Sequence, residues 1–311
     1  MEKLFTAIPT PFTENEKQID YTSLNTLINE QIKSGVEAIV LSGSTGEGHS
    51  LSKEEWIKLM EFGVNSFQDK ISVVAGVGFN ITSNAVEYAK LAEEIGVKYI
   101  LATTPYYNKP QQSGLYKHFE EICKAVKKTK IILYNVPGRT ATDLKNETIA
   151  KLVKDFPQIV ALKDATGNLE RVCDLKNRLD GIRNDFVMLS GEDATQIGFN
   201  SMGGNGVISV VSNIAPKLCK KIQDACKKNN NYEEALSYQN TLFRFSKAMF
   251  CECNPVPVKY ALYKLGIFKS PKCRLPLDDL SANNKSAIDY LLKEIVEIEN
   301  NSIKIKTIAN N

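Results

Sequence analysis

Eight times in its first 215 residues the chain repeats one pattern: a short apolar run, a turn rich in glycine, serine and threonine, and a stretch with apolar side chains at helical spacing. The runs cover 4–8, 38–41, 71–75, 97–101, 131–134, 159–163, 186–189 and 206–210. None of them alternates polar with apolar residues, so each reads as a strand buried on both faces, the mark of a parallel sheet. The intervening periodic stretches predict helices, among them 21–33, 82–95, 112–127, 146–154 and 169–178. Ser52 with Glu55 predicts a capping box at the start of the second helix, and Thr82 or Ser83 a cap for the third. Eight such units are what a closed (β/α)8 TIM barrel needs. An open doubly wound sheet shares the alternation, but no G-x-G-x-x-G turn follows the first strand, and special residues follow many strands instead of the one or two at a switch point. Beyond residue 215 the pattern is helical only, over about 216–227, 232–249, 255–265 and 277–297. The chain therefore divides into a barrel (1–215), a C-terminal helical extension (216–299) and a tail rich in Asn and Lys (300–311) expected to fray.

A barrel of this kind does its chemistry at the C-terminal ends of its strands. Strand two brings Ser44 and Thr45 there, strand four Tyr106 and Tyr107, strand five Tyr134 and Arg139, strand six Lys163, strand seven Gly191 and Glu192, and strand eight Ile208. Lys163 ends an apolar strand, where an ammonium is expensive to keep out of water; a neutral amine in that position is a nucleophile toward carbonyl carbon. One amine, several hydroxyls and one arginine suit amine catalysis on a carbonyl compound, with hydroxyls moving protons and the guanidinium binding a carboxylate. Each residue also has a plain structural reading. Lys163 snorkels or pairs with Asp164, the 44–47 turn caps a helix, Glu47 bonds loop backbone, Tyr134 fills the core, Tyr106 and Tyr107 form an oligomer contact, and Arg139 sits on the surface.

Net charge is +3 from 39 basic and 36 acidic side chains, with no basic stripe interleaved with aromatics, so nucleic acid is not an expected partner. No run of eighteen apolar residues exists and the first residues lack a signal layout, so neither membrane nor export is expected. Seven scattered cysteines read as reduced thiols of a cytoplasmic protein. Two histidines, His49 and His118, and a single close cysteine pair, Cys251 and Cys253, give no metal-ligand spacing; no metal or cofactor is expected.

Four motifs carry a resemblance: Gly43-Ser44-Thr45-Gly46-Glu47, Tyr134-Asn135-Val136-Pro137, Lys163-Asp164-Ala165-Thr166-Gly167 and Gly206-Val207-Ile208-Ser209. Together they resemble the pyruvate-dependent class I aldolases and lyases, a superfamily that holds the dihydrodipicolinate synthases and the N-acetylneuraminate lyases. Residues 105–110, 137–140 and 254–259 are similar to the synthase branch. The resemblance implies a Schiff base between Lys163 and pyruvate, with Tyr134, Thr45 and a Tyr107 from a neighbouring subunit relaying protons. Arg139 would hold the carboxylate of L-aspartate 4-semialdehyde, and Ser44, Thr45, Gly191 and Ile208 would line the pocket. It further implies a homotetramer built as a dimer of dimers, and at least a homodimer. The alternatives within the superfamily are lyases of N-acetylneuraminate or of 2-keto-3-deoxy sugar acids; outside catalysis, a barrel sensing a keto acid is the alternative. Lys53, Trp56 and Asn84 stand where lysine-inhibited relatives often carry histidines and an acid. From Lys53 in particular, repulsion of a cation and weak or absent inhibition by L-lysine are expected.

Overall fold

The computed structural model describes residues 3–227 and 231–301. Its strands are β1 (Lys3–Ala7), β2 (Ala38–Leu41), β3 (Ser72–Val77), β4 (Tyr99–Thr103), β5 (Lys130–Asn135), β6 (Ile159–Asp164), β7 (Val187–Ser190) and β8 (Gly206–Ser209). All pair in parallel with their sequence neighbours, and β8 returns to β1, so the sheet closes into a barrel. The expected TIM barrel is therefore present. Helices α1 (Tyr21–Lys33), α2 (Lys53–Phe67), α3 (Thr82–Ile95), α4 (Gln112–Ala125), α5 (Pro137–Thr140), α6 (Asn146–Asp155), α7 (Glu170–Leu179) and α8 (Gln196–Ser201) cover it. The chain then runs through α9 (Pro216–Lys227), α10 (Tyr232–Ala248), α11 (Val256–Lys264) and α12 (Ala282–Asn301). Among the described residues no helix is long and apolar enough to cross a membrane.

Local chemistry explains most boundaries. Asp20 accepts from the backbone of Thr22 and Ser23 to open α1, and Ser52 with Glu55 forms the expected capping box on α2. The cap expected of Thr82 or Ser83 is absent: α3 starts after Ile81 without a side-chain cap, because the Thr82 hydroxyl bonds Nδ1 of His118 on α4 at 3.0 Å. A tertiary bond has displaced a local one. The single turn α5 was not expected; Pro137 at its first position has the preset φ that starts a helix. The last helix starts five residues later than the pattern predicts and continues to Asn301, so it takes in the first two residues of the expected tail. The remainder of that tail, from 302 on, lies outside the described residues.

The turn after β2 is pressed against its neighbours. A Cβ on Gly48 or on Gly76 would come within 2.1 Å of the Ser42 carbonyl oxygen, so both positions admit only glycine. The turn is thereby held on the end of β3, and Trp56 locks the same place by donating its indole N–H to the Gly76 carbonyl at 3.1 Å.

His118 is buried between α3 and α4, its ring edge-on to Phe119 at 5.2 Å, with Nε2 unpaired. Burial lowers its pKa from the ordinary 6.5 to about 4. The unfolded chain therefore binds a proton that the native ring refuses, and stability falls as pH drops from about 6.5 toward about 4. Between pH 7 and pH 5 this one group should remove about 2 kcal/mol of unfolding free energy. Urea melts at those two pH values should show a smaller pH loss in His118→Phe than in the parent, by about that amount.

Candidate active site

Lys163 and Tyr134 are register partners across the β5–β6 pairing, and so project from the same face of the sheet. Both are buried, Lys163 at 7% exposure, and the Lys163 Nζ lies 4.3 Å from the centroid of the Tyr134 ring. The ammonium or amine thus rests on an aromatic face away from bulk water. The next residues, Asn135 and Asp164, are also partners and project to the opposite face. Asp164 accepts from the backbone and hydroxyl of Thr166 and from Arg171 Nε at 3.0 Å. Asn135 bonds Asp143 and the backbone of Leu144. Pairing of Lys163 with Asp164, the plain reading of this stretch, does not occur: strand alternation separates them, and Arg171 on α7 takes the carboxylate.

The ends of β7 and β8 are joined by a carboxylate that the sequence reading passed over. Asp193, wholly buried, accepts from the Ser209 hydroxyl and from the backbone of Val210 and Val211 at 2.9 and 3.2 Å. This fixes the approach to Ile208, itself buried on β8, relative to Gly191, whose N–H bonds the Asp164 carbonyl at 2.7 Å. A Cβ on Gly191 would lie 2.5 Å from that of Ala165, which explains the glycine. Burial, then Asp193, raises the pKa of neighbouring Glu192, with Lys163 and Lys247 opposing. The amine of Lys163 therefore has two carboxylates within electrostatic reach.

Thr45 is buried in the turn after β2, and its Oγ1 accepts a hydrogen bond from Asn254 Nδ2 at 2.9 Å. Asn254 also offers its backbone carbonyl to Arg139 Nη2 at 3.0 Å. A residue of the extension thus joins Thr45 to Arg139. Ser44 and Arg139 share a cavity of about 430 Å³ with His49, Trp56, Phe79 and Tyr106; Lys163 and Tyr134 are not in its wall. Burial lowers the pKa of His49, with Glu47 pulling up and Arg139 pushing further down. Lys53 is not in this wall either. Its ammonium is paired with Glu87 on α3, so the repulsion expected of it is answered by a carboxylate.

Tyr107 is placed apart from the rest. Its side chain is 87% exposed, and its backbone has φ +73°, a left-handed conformation costly for an aromatic residue. The strain is held by its N–H on the Thr140 carbonyl at 3.3 Å and by Asn108, which bonds the carbonyls of Tyr106 and Asn80. Within one chain Tyr107 does not meet Thr45 or Tyr134.

Glu47, left-handed at φ +50°, points its carboxylate into the protein and away from the cavity. It pairs with Lys259 of α11, both side chains being fully buried, and accepts from the Arg274 backbone at 2.9 Å. The expected bond to backbone is present; the lysine was not expected. Lys259 also donates to the Lys272 carbonyl and lies 4.1 Å from the Phe12 ring. Burial pulls its pKa below the ordinary lysine range, with Glu47 pulling back.

The comparisons agree with one another. The Dihydrodipicolinate synthetase family model matches residues 1–295. A 4-hydroxy-tetrahydrodipicolinate synthase of Bartonella bacilliformis is 42% identical over 288 residues, covering 93% of this chain and 96% of the relative. One of Brucella abortus is 41% identical over 293 residues, covering 94% and 98%. The crystal structure of dihydrodipicolinate synthase from Aquifex aeolicus superposes with a TM-score of 0.90 at 36% identity, over 94% of this chain and 98% of that one.

Removing one member of the buried Glu47–Lys259 pair strands a charge in the interior. Lys259→Met should cost about 3–5 kcal/mol, read from denaturant melts. Adding Glu47→Gln should recover part of that loss; a double variant no more stable than the single would show that the charge is not what matters.

Proposed function

The chain belongs to the dihydrodipicolinate synthetase family, and from that premise we propose that it condenses pyruvate with L-aspartate 4-semialdehyde. The product is 4-hydroxy-tetrahydrodipicolinate, in the diaminopimelate route to lysine. The observation that carries this reading is the buried Lys163 amine on the Tyr134 ring at the end of β6. A carbonyl-attacking amine must be free of a carboxylate partner, and Asp164 is bound instead by Arg171.

In the proposed reaction the Lys163 amine adds to the ketone carbon of pyruvate, and loss of water gives a protonated imine. This cation withdraws electrons, so a methyl proton leaves and an enamine forms. The enamine carbon attacks the aldehyde carbon of the semialdehyde, whose oxygen takes a proton and becomes the hydroxyl. The amine of that substrate then adds to the imine carbon, closes the ring and expels Lys163. Tyr134 carries protons to and from the imine centre, and Thr45 connects it to Tyr107 of a neighbouring subunit. The exposure and left-handed backbone of Tyr107 support that last assignment, since strain in one chain is repaid when the ring enters a partner. Arg139 binds the semialdehyde carboxylate, and Ser44, Gly191 and Ile208 line the site. A homotetramer made as a dimer of dimers, working in the cytoplasm, completes the proposal.

Incubation with pyruvate and borohydride should add the mass of one reduced adduct at Lys163, and Lys163→Ala should take none. Arg139→Ala should lower turnover of the semialdehyde by about a hundredfold or more while leaving pyruvate trapping intact. If that variant turned over the semialdehyde normally, a sugar-acid lyase would become the better reading.

A further inference from the structure

Asn254 lies outside the barrel, in the segment between α10 and α11, yet it contacts two members of the proposed site through two different groups. Its side-chain nitrogen donates to Thr45 Oγ1 at 2.9 Å, and its main-chain oxygen accepts from Arg139 Nη2 at 3.0 Å. Asn254 is 6% exposed, and its Oδ1 is buried without a hydrogen-bond partner, so the bond to Thr45 is the one its amide makes. The main-chain oxygen is held from a second side by the Cys253 thiol at 3.7 Å.

A threonine hydroxyl has one hydrogen and two acceptor positions. When an amide N–H occupies an acceptor position, the hydroxyl hydrogen must point elsewhere. The sense in which a proton passes through a hydroxyl is set by which neighbour donates to it. An amide nitrogen only donates, so it fixes Thr45 as a donor away from Asn254.

We propose that the Asn254 side chain is a positioning residue that sets the polarity of the Thr45 hydroxyl in proton transfer, while its backbone separately positions Arg139. This inference rests on the proposed reaction and adds to it a residue that touches neither substrate. The two groups are chemically separable, because substitution changes the side chain and keeps the carbonyl.

Asn254→Ala should lower kcat about tenfold, the low end of what a positioned proton-transfer group supplies, with KM for the semialdehyde within about twofold of the parent. Asn254→Asp has nearly the same shape but is acceptor-only when ionised, so it would draw the Thr45 hydrogen toward itself. It should be slower than the Ala variant at neutral pH and recover as pH is lowered and the carboxyl protonates. The Asn254→Ala, Thr45→Val double variant should be no slower than Thr45→Val alone. The same cycle is run on the rate of borohydride-trappable imine formation with pyruvate, which needs no second substrate. Wild-type enzyme inert toward the semialdehyde would sink the functional reading, and the pyruvate cycle would still decide the role of Asn254. Multiplying effects of the two substitutions, or an Asp variant as fast as the parent, would overturn the inference. Should the Ala variant not fold, the isosteric Asp variant carries the test by itself.

Discussion

A buried ion pair, Glu47 with Lys259, ties the turn after β2 to the helical extension, and the arrangement of the site depends on that tie. Two charges without solvent are kept only where further hydrogen bonds satisfy them. Here the Lys272 carbonyl accepts a second hydrogen of the ammonium, the Arg274 backbone N–H donates to the second oxygen of the carboxylate, and the Phe12 ring lies against both Lys259 and Arg274. Arg274 continues outward to Glu55, which closes the capping box of α2 with Ser52. Thr45 stands two residues before Glu47, and Asn254 five residues before Lys259. The ion pair therefore fixes both sides of the Thr45–Asn254 hydrogen bond. The extension is part of the site's framework, since without it neither the threonine hydroxyl nor the guanidinium has its partner.

The barrel solves a different problem, that of putting an amine largely out of water while leaving it without a counter-charge in contact. Strand alternation does this. Lys163 and Asp164 are adjacent in sequence, yet one joins Tyr134 on its face of the sheet and the other joins Asn135 and Arg171 on the opposite face. Had the register of β6 slipped by one residue, the carboxylate would face the phenol and the amine would face α7. Asp193 and Glu192 supply negative potential at longer range, and Asp193 is itself occupied by three donors from the end of β8. Asp193 is thus already bound and need not move to act on the amine.

The periodicity of the sequence carried the architecture because a parallel barrel leaves so few choices: strands must be apolar on both faces, and helices must show one apolar stripe. Ser52 and Glu55 were legible for the same reason, since a capping box is closed within four residues. Thr82 was misread because its hydroxyl answers to His118 on another helix, which local pattern cannot reveal. The candidate residues at the strand ends were legible by position along each strand. Their partners were not. Lys259, Asn254 and Asp193 sit 212, 209 and 16 residues from the groups they bond; the 254–259 segment stands out by its resemblance, but nothing in it points to Glu47 or Thr45 as partners. Lys53 shows the converse: a charge read alone as repulsive is paired with a carboxylate 34 residues on.

Tyr107 gives the frame its direction. Thr45 and Arg139 are held within their own chain through Asn254, whereas Tyr107 is held by its backbone alone, its N–H donating to the carbonyl of Thr140. Thr140 is in turn bonded through its hydroxyl to Thr104 and to the carbonyls of Val136 and Thr142. The turn that carries Arg139 therefore also holds the backbone that forces Tyr107 outward. A left-handed aromatic residue is costly, and a ring almost wholly in water gains nothing from burial in return. The same turn thus couples the guanidinium of one site to the projection of a ring from its own surface.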